Sequence, residues 1–424
     1  MKKLSIVALA TILLLSSCSS TSSFVRGVTT DPTLPVSEKL IASGSTELNI
    51  PYPECYFDAD LFLERYIELI ESAKDYIFIS TFLATYSDGL HDLYAAIAKK
   101  AEEGVRIYMI MDGFSSLDMT ESRKYMTPLY FLRDYGVHLL EYNAPDFLHL
   151  IALQTFMIRD HRKLIVVDGR YAVLGGMNMN YISLGADNVD LQRDSMYVFD
   201  SAALSSALAD EFVTLWNEAS IEKINRSDFT VQSDEGKDLS LKGYIFNQGP
   251  GSDNHIADLF SSLFSSAKEE IVILPYLPLL NDDMYASLKE AISRGVKVKM
   301  YIPIDTREYV QKGTLYDYWR LVDAGIEVYY EYTGGETEVP LLHQKLTVVD
   351  GRYSVIGSTN FNYRSMGLSY EIAMVIDSEK FAKEALAQVA DISKNMSILD
   401  IESAKKMKKE KGNVFFYLFS FFGG

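Results

Sequence analysis

The same alternation of apolar runs and polar, helix-spaced stretches occurs twice along this chain. Residues 73–80 read AKDYIFIS, a polar stretch follows, and EEGVRIYMIMD then ends at Asp112. Residues 267–274 read AKEEIVIL, a similar stretch follows, and SRGVKVKMYIP ends at Pro303. Short apolar runs bounded by turn formers predict buried strands, and Gly104 and Gly295 sit where a helix between them would stop. The next segments also correspond. YFLRDYGVHLLEY and YWRLVDAGIEVYYEY each predict a helix, a glycine (Gly136, Gly325) and a strand. DHRKLIVVDGRYAVLGGMNMN and LHQKLTVVDGRYSVIGSTNFN each predict two strands joined at Asp168-Gly169 or Asp350-Gly351, the signature of a tight hairpin. A unit this long is a duplicated domain rather than a stacking repeat. Its strand-helix-strand rhythm predicts an α/β fold with largely parallel or mixed sheets covered by helices. The turn-forming stretches SDEGKD and NQGPGSD place the boundary within residues 233–253, giving halves of 46–235 and 250–400.

The two ends depart from this pattern. Lys2 and Lys3 precede an apolar run from Leu4 to Leu15, which is too short to span a bilayer comfortably and reads as a secretory signal over residues 1–17. Its Leu-Ser-Ser-Cys ending resembles the bacterial lipobox. That resemblance implies a lipid on Cys18 and a place in the cell envelope, on the exported side of the membrane (the periplasmic face or the outer membrane in a Gram-negative cell). The other cysteine is Cys55, so a lipidated Cys18 leaves no pair for an intrachain disulfide. Residues 18–45 begin rich in Ser and Thr without periodicity and are expected to form a flexible tether. In the tail, 401–424, Lys405, Lys406, Lys408, Lys409 and Lys411 precede VFFYLFSFF at 414–422. Nine residues cannot cross a bilayer as a helix; a basic and aromatic segment suits a membrane interface, and packing on the body is the alternative. The net charge of -18 works against a polyanionic partner, so nucleic acid is an unfavoured ligand.

The chemistry concentrates in the hairpins. His161, Lys163 and Asp168 are spaced H-x-K-x4-D, as are His343, Lys345 and Asp350. Gly175, Gly176 and Asn178 follow the first, and Gly357, Ser358 and Asn360 the second, each Asn seventeen residues after its His. Residues two apart on a strand share a face, so His and Lys can reach one ligand. One such spacing is weak evidence, whereas two at matching places of a repeat are strong. Metal binding would suit His and Asp, but Lys is not a usual ligand. His91, His138, His149 and His255 lack such a context, and His138 aligns with Glu327.

Residue by residue, this pattern resembles the phospholipase D superfamily, whose hallmark is a doubled His-Lys-Asp motif. The resemblance covers nearly the whole chain after the tether and implies two mixed β-sheets flanked by helices, with one active site at the interface of the halves. It implies a phosphodiester substrate and no metal or other cofactor. Lys163, Lys345, Asn178 and Asn360 would hold the non-bridging oxygens. His161, corresponding to the histidine that is usually the nucleophile in relatives, would attack phosphorus, and His343 would act as acid and base. The family also supplies a carboxylate to each imidazole, matched here by Asp194 in LQRDSMYVFD and Glu371 in SYEIAMVID. Asp168 and Asp350 are then expected to brace their turns. Gly176, where the motif usually has Ser, and the sequence GSTNFNYRSMGLSYEIAMVID resemble the bacterial cardiolipin synthase branch. That branch implies a phosphatidyltransferase or phospholipase D-type enzyme acting on phosphatidylglycerol or a related lipid at a membrane surface. An exported phosphodiesterase or nuclease is the alternative.

Overall fold

The computed structural model describes residues 33–113, 129–144, 155, 158–186, 192–250, 255–276, 278–303, 308–331, 340–410 and 413–420. The expected signal segment and Cys18 lie outside the described residues.

The first half contains α1 (Val36–Ala42), β1 (Thr46–Ile50), β2 (Glu54–Tyr56), α2 (Ala59–Ser72), β3 (Tyr76–Thr81), α3 (His91–Glu102), β4 (Arg106–Asp112), β5 (His138–Tyr142), β6 (Leu164–Val167), β7 (Tyr171–Gly175), β8 (Met196–Asp200) and α4 (Ala202–Ala219). The second contains β9 (Leu241–Gln248), α5 (His255–Ser266), β10 (Glu270–Leu274), α6 (Asp282–Ser293), β11 (Lys297–Ile302), α7 (Glu308–Asp323), β12 (Glu327–Glu331), β13 (Leu346–Val349), β14 (Tyr353–Gly357), α8 (Tyr363–Gly367), β15 (Glu371–Asp377), α9 (Glu379–Ile392), β16 (Met396–Ile398), α10 (Ile401–Lys408) and α11 (Asn413–Ser420). The helix expected over YFLRDYG is a 3-10 segment, Tyr130–Tyr135, closed by Gly136 at φ 94. One sheet runs β2-β8-β7-β6-β3-β4-β5 and the other β1-β9-β15-β14-β13-β10-β11-β12-β16. Without β1 and β16 the two orders match strand for strand, as duplication requires. β3, β4 and β5 pair in parallel, as do β10, β11 and β12, whereas β3–β6 and β10–β13 pair antiparallel, so both sheets are mixed.

Alternate residues of the central strands enter different cores, which is why these strands are apolar on both faces. Phe78, Val166 and Tyr197 of one sheet and Val272, Val348 and Met374 of the other share a central core with α4 and α9. Ile77, Ile79 and Ile165 face outward to α2 and α3, and Ile271 and Ile273 to α5, α6 and α7. The two central helices begin alike: Ser201 Oγ accepts from Leu204 N and Ser378 Oγ from Phe381 N.

The sequence boundaries need two corrections. Residues 36–45 are not all tether, because α1 buries Leu40 completely and Lys39 Nζ donates to Ser266 Oγ of α5 at 2.9 Å. Residues 46–50 do not belong to the first sheet, because β1 pairs antiparallel with β9. In both cases a short segment lacking its own core finds an apolar partner far along the chain. The tail packs on the body over its described part. Lys408 Nζ lies 3.8 Å over the Trp319 ring and Tyr417 meets Tyr316 at 4.7 Å, while Val414 and Phe415 stay exposed. Among the described residues no helix is long and apolar enough to cross a membrane.

Both hairpin turns place their Asp-Gly pair in the left-handed region, with φ 52 and 59 at Asp168 and Gly169 and 51 and 59 at Asp350 and Gly351. The Asp168 carboxylate accepts from the backbone of Lys74, Asp75 and Tyr76 at 2.8–2.9 Å. Asp350 accepts likewise from Lys268, Glu269 and Glu270 at 2.8–3.1 Å. Each Asp thus ties its turn to the start of β3 or β10, one strand length from the motif lysine.

The two glycines differ in their surroundings. A Cβ at Gly169 would lie 2.3 Å from Thr230 O, whereas at Gly351 nothing lies within 4 Å. Gly351→Ala is expected to cost about 1–2 kcal/mol from the left-handed backbone alone. Gly169→Ala is expected to cost clearly more in urea unfolding; equal losses would contradict this packing.

Candidate active site

The segments that begin β6 and β13 carry the functional side chains, and each pairs with the opposite half of the molecule. Asp160 bridges Tyr370, with His161 N donating to Tyr370 O at 3.0 Å and Tyr370 N to Arg159 O at 2.8 Å. Reciprocally, Arg193 bridges Leu342, with His343 N donating to Arg193 O and Arg193 N to Leu341 O, both at 2.9 Å. The residue after Tyr370 is Glu371 and the residue after Arg193 is Asp194. Backbone pairing across the seam therefore delivers each carboxylate to the other half's histidine. His161 Nδ1 lies 3.0 Å from Glu371 Oε1, and His343 Nδ1 lies 2.5 Å from Asp194 Oδ2. With Nδ1 held this way, Nε2 is the nitrogen left for chemistry.

The lysines close on the same point. Lys163 Nζ donates to His161 O at 2.6 Å; Lys345 Nζ lies 2.7 Å from His343 Nδ1 and 3.5 Å from Asp194 Oδ2. His161, Lys163, His343 and Lys345 are all buried, as are Asn178 and Asn360. Asn178 Oδ1 accepts from Leu83 N at 3.3 Å, and Asn360 N donates to Ser365 Oγ at 3.3 Å. The two histidines, two lysines and two carboxylates are thus brought together, with Asn178 lining one small cavity with Lys163 and Asn360 bonded through its backbone to Ser365, while Asp168 and Asp350 stand at the far ends of β6 and β13.

Sequence reasoning missed several neighbours. Phe82 and Tyr276 hold equivalent places after β3 and β10. The Phe82 ring meets His161 edge-on at 4.9 Å with Lys163 Nζ 5.2 Å over it; Tyr276 meets His343 at 4.3 Å with Lys345 Nζ at 4.8 Å. Tyr276 adopts φ 55, a strained conformation for a bulky residue and one typical of functional sites. Behind His161 lies a buried ionic network. Arg159 Nη1 donates to Asp112 Oδ1 at 3.2 Å, Asp160 N to Asp112 Oδ2 at 2.8 Å, and Arg162 Nε to Asp160 Oδ1 at 2.8 Å. The second copy has Leu341, Leu342 and Gln344 at the matching places. Its anchor is Arg193, whose Nη2 donates to both carboxylate oxygens of Glu331 at 2.8 and 2.7 Å and whose Nε donates to Pro340 O at 2.8 Å. The available signal was the charged run Arg-Asp-His-Arg entering an apolar strand.

The two dyads differ. Glu371 accepts from Ser358 Oγ and, at 2.6 Å, from Ser365 Oγ. Asp194 Oδ1 accepts from Ser195 N at 2.8 Å and lies so near Gly176 that a Cβ there would approach it to 2.1 Å. The shorter acid occupies the space that a serine would need.

Burial sets the protonation of the site. Burial, then Lys163, pushes His161 well below its ordinary value. Burial and Lys345 bring His343 down to about 4 against the pull of Asp194. Burial and Lys345 lower Lys163 to about 7, and burial raises Glu371 to about 7 despite Lys163 and the two serines. Burial would raise Asp194, but Lys345 and His343 outweigh it and hold the acid below the carboxylate range. Both imidazoles are therefore neutral in the free protein at neutral pH. Neutral imidazole suits a nucleophile, and an arriving anion would offset the cations and draw a proton onto the other ring. Among the described residues no cluster of three or more His, Cys, Asp or Glu side chains could hold a metal.

Two sheets of matching strand order, with one doubled His–Lys constellation at their seam, define a protein of the phospholipase D-like class. The chain belongs to the family described as "Cardiolipin synthase, PLD-like domain", whose model matches residues 66–216 and 260–392. It is similar to cardiolipin synthase 2 of Staphylococcus epidermidis, with 29% identity over 361 residues covering 83% of this chain and 70% of that one. It is also similar to a minor cardiolipin synthase of Bacillus subtilis, with 25% identity over 358 residues covering 82% of each. In fold it resembles the phosphatidylserine synthase of Haemophilus influenzae, with a TM-score of 0.69 and 14% identity over 91% of this chain and 98% of that one.

Two outcomes follow from this geometry. Binding of inorganic phosphate near pH 7 is expected to take up protons, because the anion raises Lys163 from about 7; calorimetry in buffers of different ionisation enthalpy would measure it, and buffer-independent heats would contradict it. Gly176→Ala is expected to displace Asp194 from His343 and lower turnover by about a hundredfold, with unfolding behaviour as the control for gross damage.

Proposed function

We propose that this protein transfers phosphatidyl groups between membrane phospholipids through a phosphohistidine, in the manner of a cardiolipin synthase. The observation that carries the reading is the crossed arrangement in which each imidazole is held by the other half's carboxylate. In-line displacement at phosphorus needs one group on the attacking side and one on the leaving side, and a duplicated site supplies both.

His161 Nε2 forms a bond to phosphorus while the bond to the leaving alkoxide breaks, and His343 gives that oxygen a proton. Lys163, Lys345, Asn178 and Asn360 hold the non-bridging oxygens as charge grows on them. In the return step His343 takes the proton of an acceptor hydroxyl, whose oxygen displaces His161. A lipid alcohol as acceptor gives a transferase, and water gives a phospholipase. Phosphatidylglycerol suits both places, since it carries a phosphodiester and free hydroxyls. The related cardiolipin synthases support a lipid substrate, and the net charge of -18 weighs against nucleic acid. The lipobox-like Cys18 supports anchoring on the exported face of the membrane in which the substrate lies, with exposed Val414 and Phe415 suited to its interface.

Purified protein incubated with phosphatidylglycerol vesicles, with and without glycerol, is expected to yield cardiolipin or phosphatidic acid by mass spectrometry. His161→Ala is expected to reduce this by at least ~1000-fold, the scale seen when a covalent nucleophile is removed. Unchanged lipid with the wild-type protein would sink the reading.

A further inference from the structure

The turn after the second motif differs from its copy in one side chain. NYRSMG at 362–367 aligns with NYISLG at 180–185, so Arg364 stands where the first half has Ile182. Both turns are capped alike: Asn362 Oδ1 accepts from Ser365 N at 3.0 Å and Asn180 Oδ1 from Ser183 N at 2.8 Å. Their onward contacts diverge. Ser365 Oγ donates to Glu371 Oε1 at 2.6 Å, whereas Ser183 Oγ donates to Gln192 Oε1 at 2.7 Å. The second turn thus serves the His161–Glu371 dyad, whereas Ser183 of the first bonds Gln192 instead of a carboxylate.

Arg364 is buried, and its guanidinium carbon lies 5.4 Å from the Phe82 centroid. That ring belongs to the first half and is the one met by His161 at 4.9 Å and by Lys163 Nζ at 5.2 Å. The charge of Arg364 also adds to the depression of His161 and Lys163 and opposes the rise of Glu371.

We infer that Arg364 is a third phosphate-binding cation, reaching across the seam to hold substrate oxygens on the His161 side. This rests on the reading of the site as one for phosphodiesters. Burying a guanidinium near Lys163 is costly, since desolvation and like-charge repulsion add. The isoleucine of the first half fills the matching place without that cost. A bound phosphodiester monoanion offsets the repulsion between Arg364 and Lys163, and the guanidinium fork matches two phosphate oxygens in one plane. Its attraction grows as those oxygens gain charge in the transition state, so kcat should fall more than KM rises when it is removed.

The test measures inorganic phosphate affinity of the full-length protein by calorimetry, alongside kcat and KM on phosphatidylglycerol vesicles, for the wild type, Arg364→Lys and Arg364→Gln. Phosphate binding is expected to weaken about 10- to 100-fold in Arg364→Gln. Arg364→Lys should fall between, because it keeps the charge and loses the fork. Affinities within twofold of wild type in both variants would overturn the inference, as would a wild type that binds no phosphate at neutral pH. If Arg364→Gln fails to fold, Arg364→Lys decides alone: a drop of about tenfold supports the role, and wild-type affinity overturns it. A wild type that binds phosphate through Arg364 but leaves lipid unchanged would refute the lipid reading and leave this inference standing.

Discussion

The site depends on two short backbone pairings across the seam, Asp160 with Tyr370 and Arg193 with Leu342. They place Glu371 on His161 and Asp194 on His343, so neither half holds a complete dyad by itself. A slip of one residue in either pairing would turn the carboxylate to the opposite side of the strand, because side chains alternate along extended backbone. This explains the weight of structure behind these segments. Arg159, Asp160, Arg162 and Asp112 form a buried network on one side, and Arg193 grips Glu331 on the other. Buried ion pairs contribute little net stability, but breaking one strands a charge in the interior, so they penalise every other register strongly.

The same seam concentrates charge away from water. Lys163, Lys345 and Arg364 crowd two imidazoles and two carboxylates, and burial is the largest influence on each imidazole. A phosphate anion at this seam would offset the cations that hold both imidazoles down. Phe82 and Tyr276 offer each lysine an aromatic face, which favours a cation without contributing a counter-charge that would compete with substrate. The strained backbone at Tyr276 agrees with a ring held in place by the site rather than by its own preference.

Duplication built the frame, and divergence has made its halves unequal. Asp194 needs the bare Gly176, whereas Glu371 is one methylene longer and is met by Ser358 and Ser365. The ionic support behind His161 has only leucines and a glutamine as its counterpart. An in-line reaction asks different things of its two imidazoles, and these differences separate their surroundings although both stand on equivalent strands. The fold alone does not select the acceptor, since a lipid hydroxyl and water would react with the same intermediate.

The sequence by itself determined the duplication, the succession of strands and helices along each half, the hairpin turns at Asp168-Gly169 and Asp350-Gly351, and the pairing of His161 with Lys163 and of His343 with Lys345 on equivalent strands. These are legible because apolar periodicity, left-handed turn chemistry and paired spacings are local. The union of the two motifs in one site and the carboxylates were read only through resemblance to a family. Tertiary structure alone decided that β1 completes the second sheet, that α1 covers α5, and that the tail lies on α7. It also decided that Phe82, Tyr276, Ser365 and Arg364 join the site. Each of these rests on a contact between residues far apart in the chain, where no spacing rule operates and only the closing of the seam determines which side chains meet.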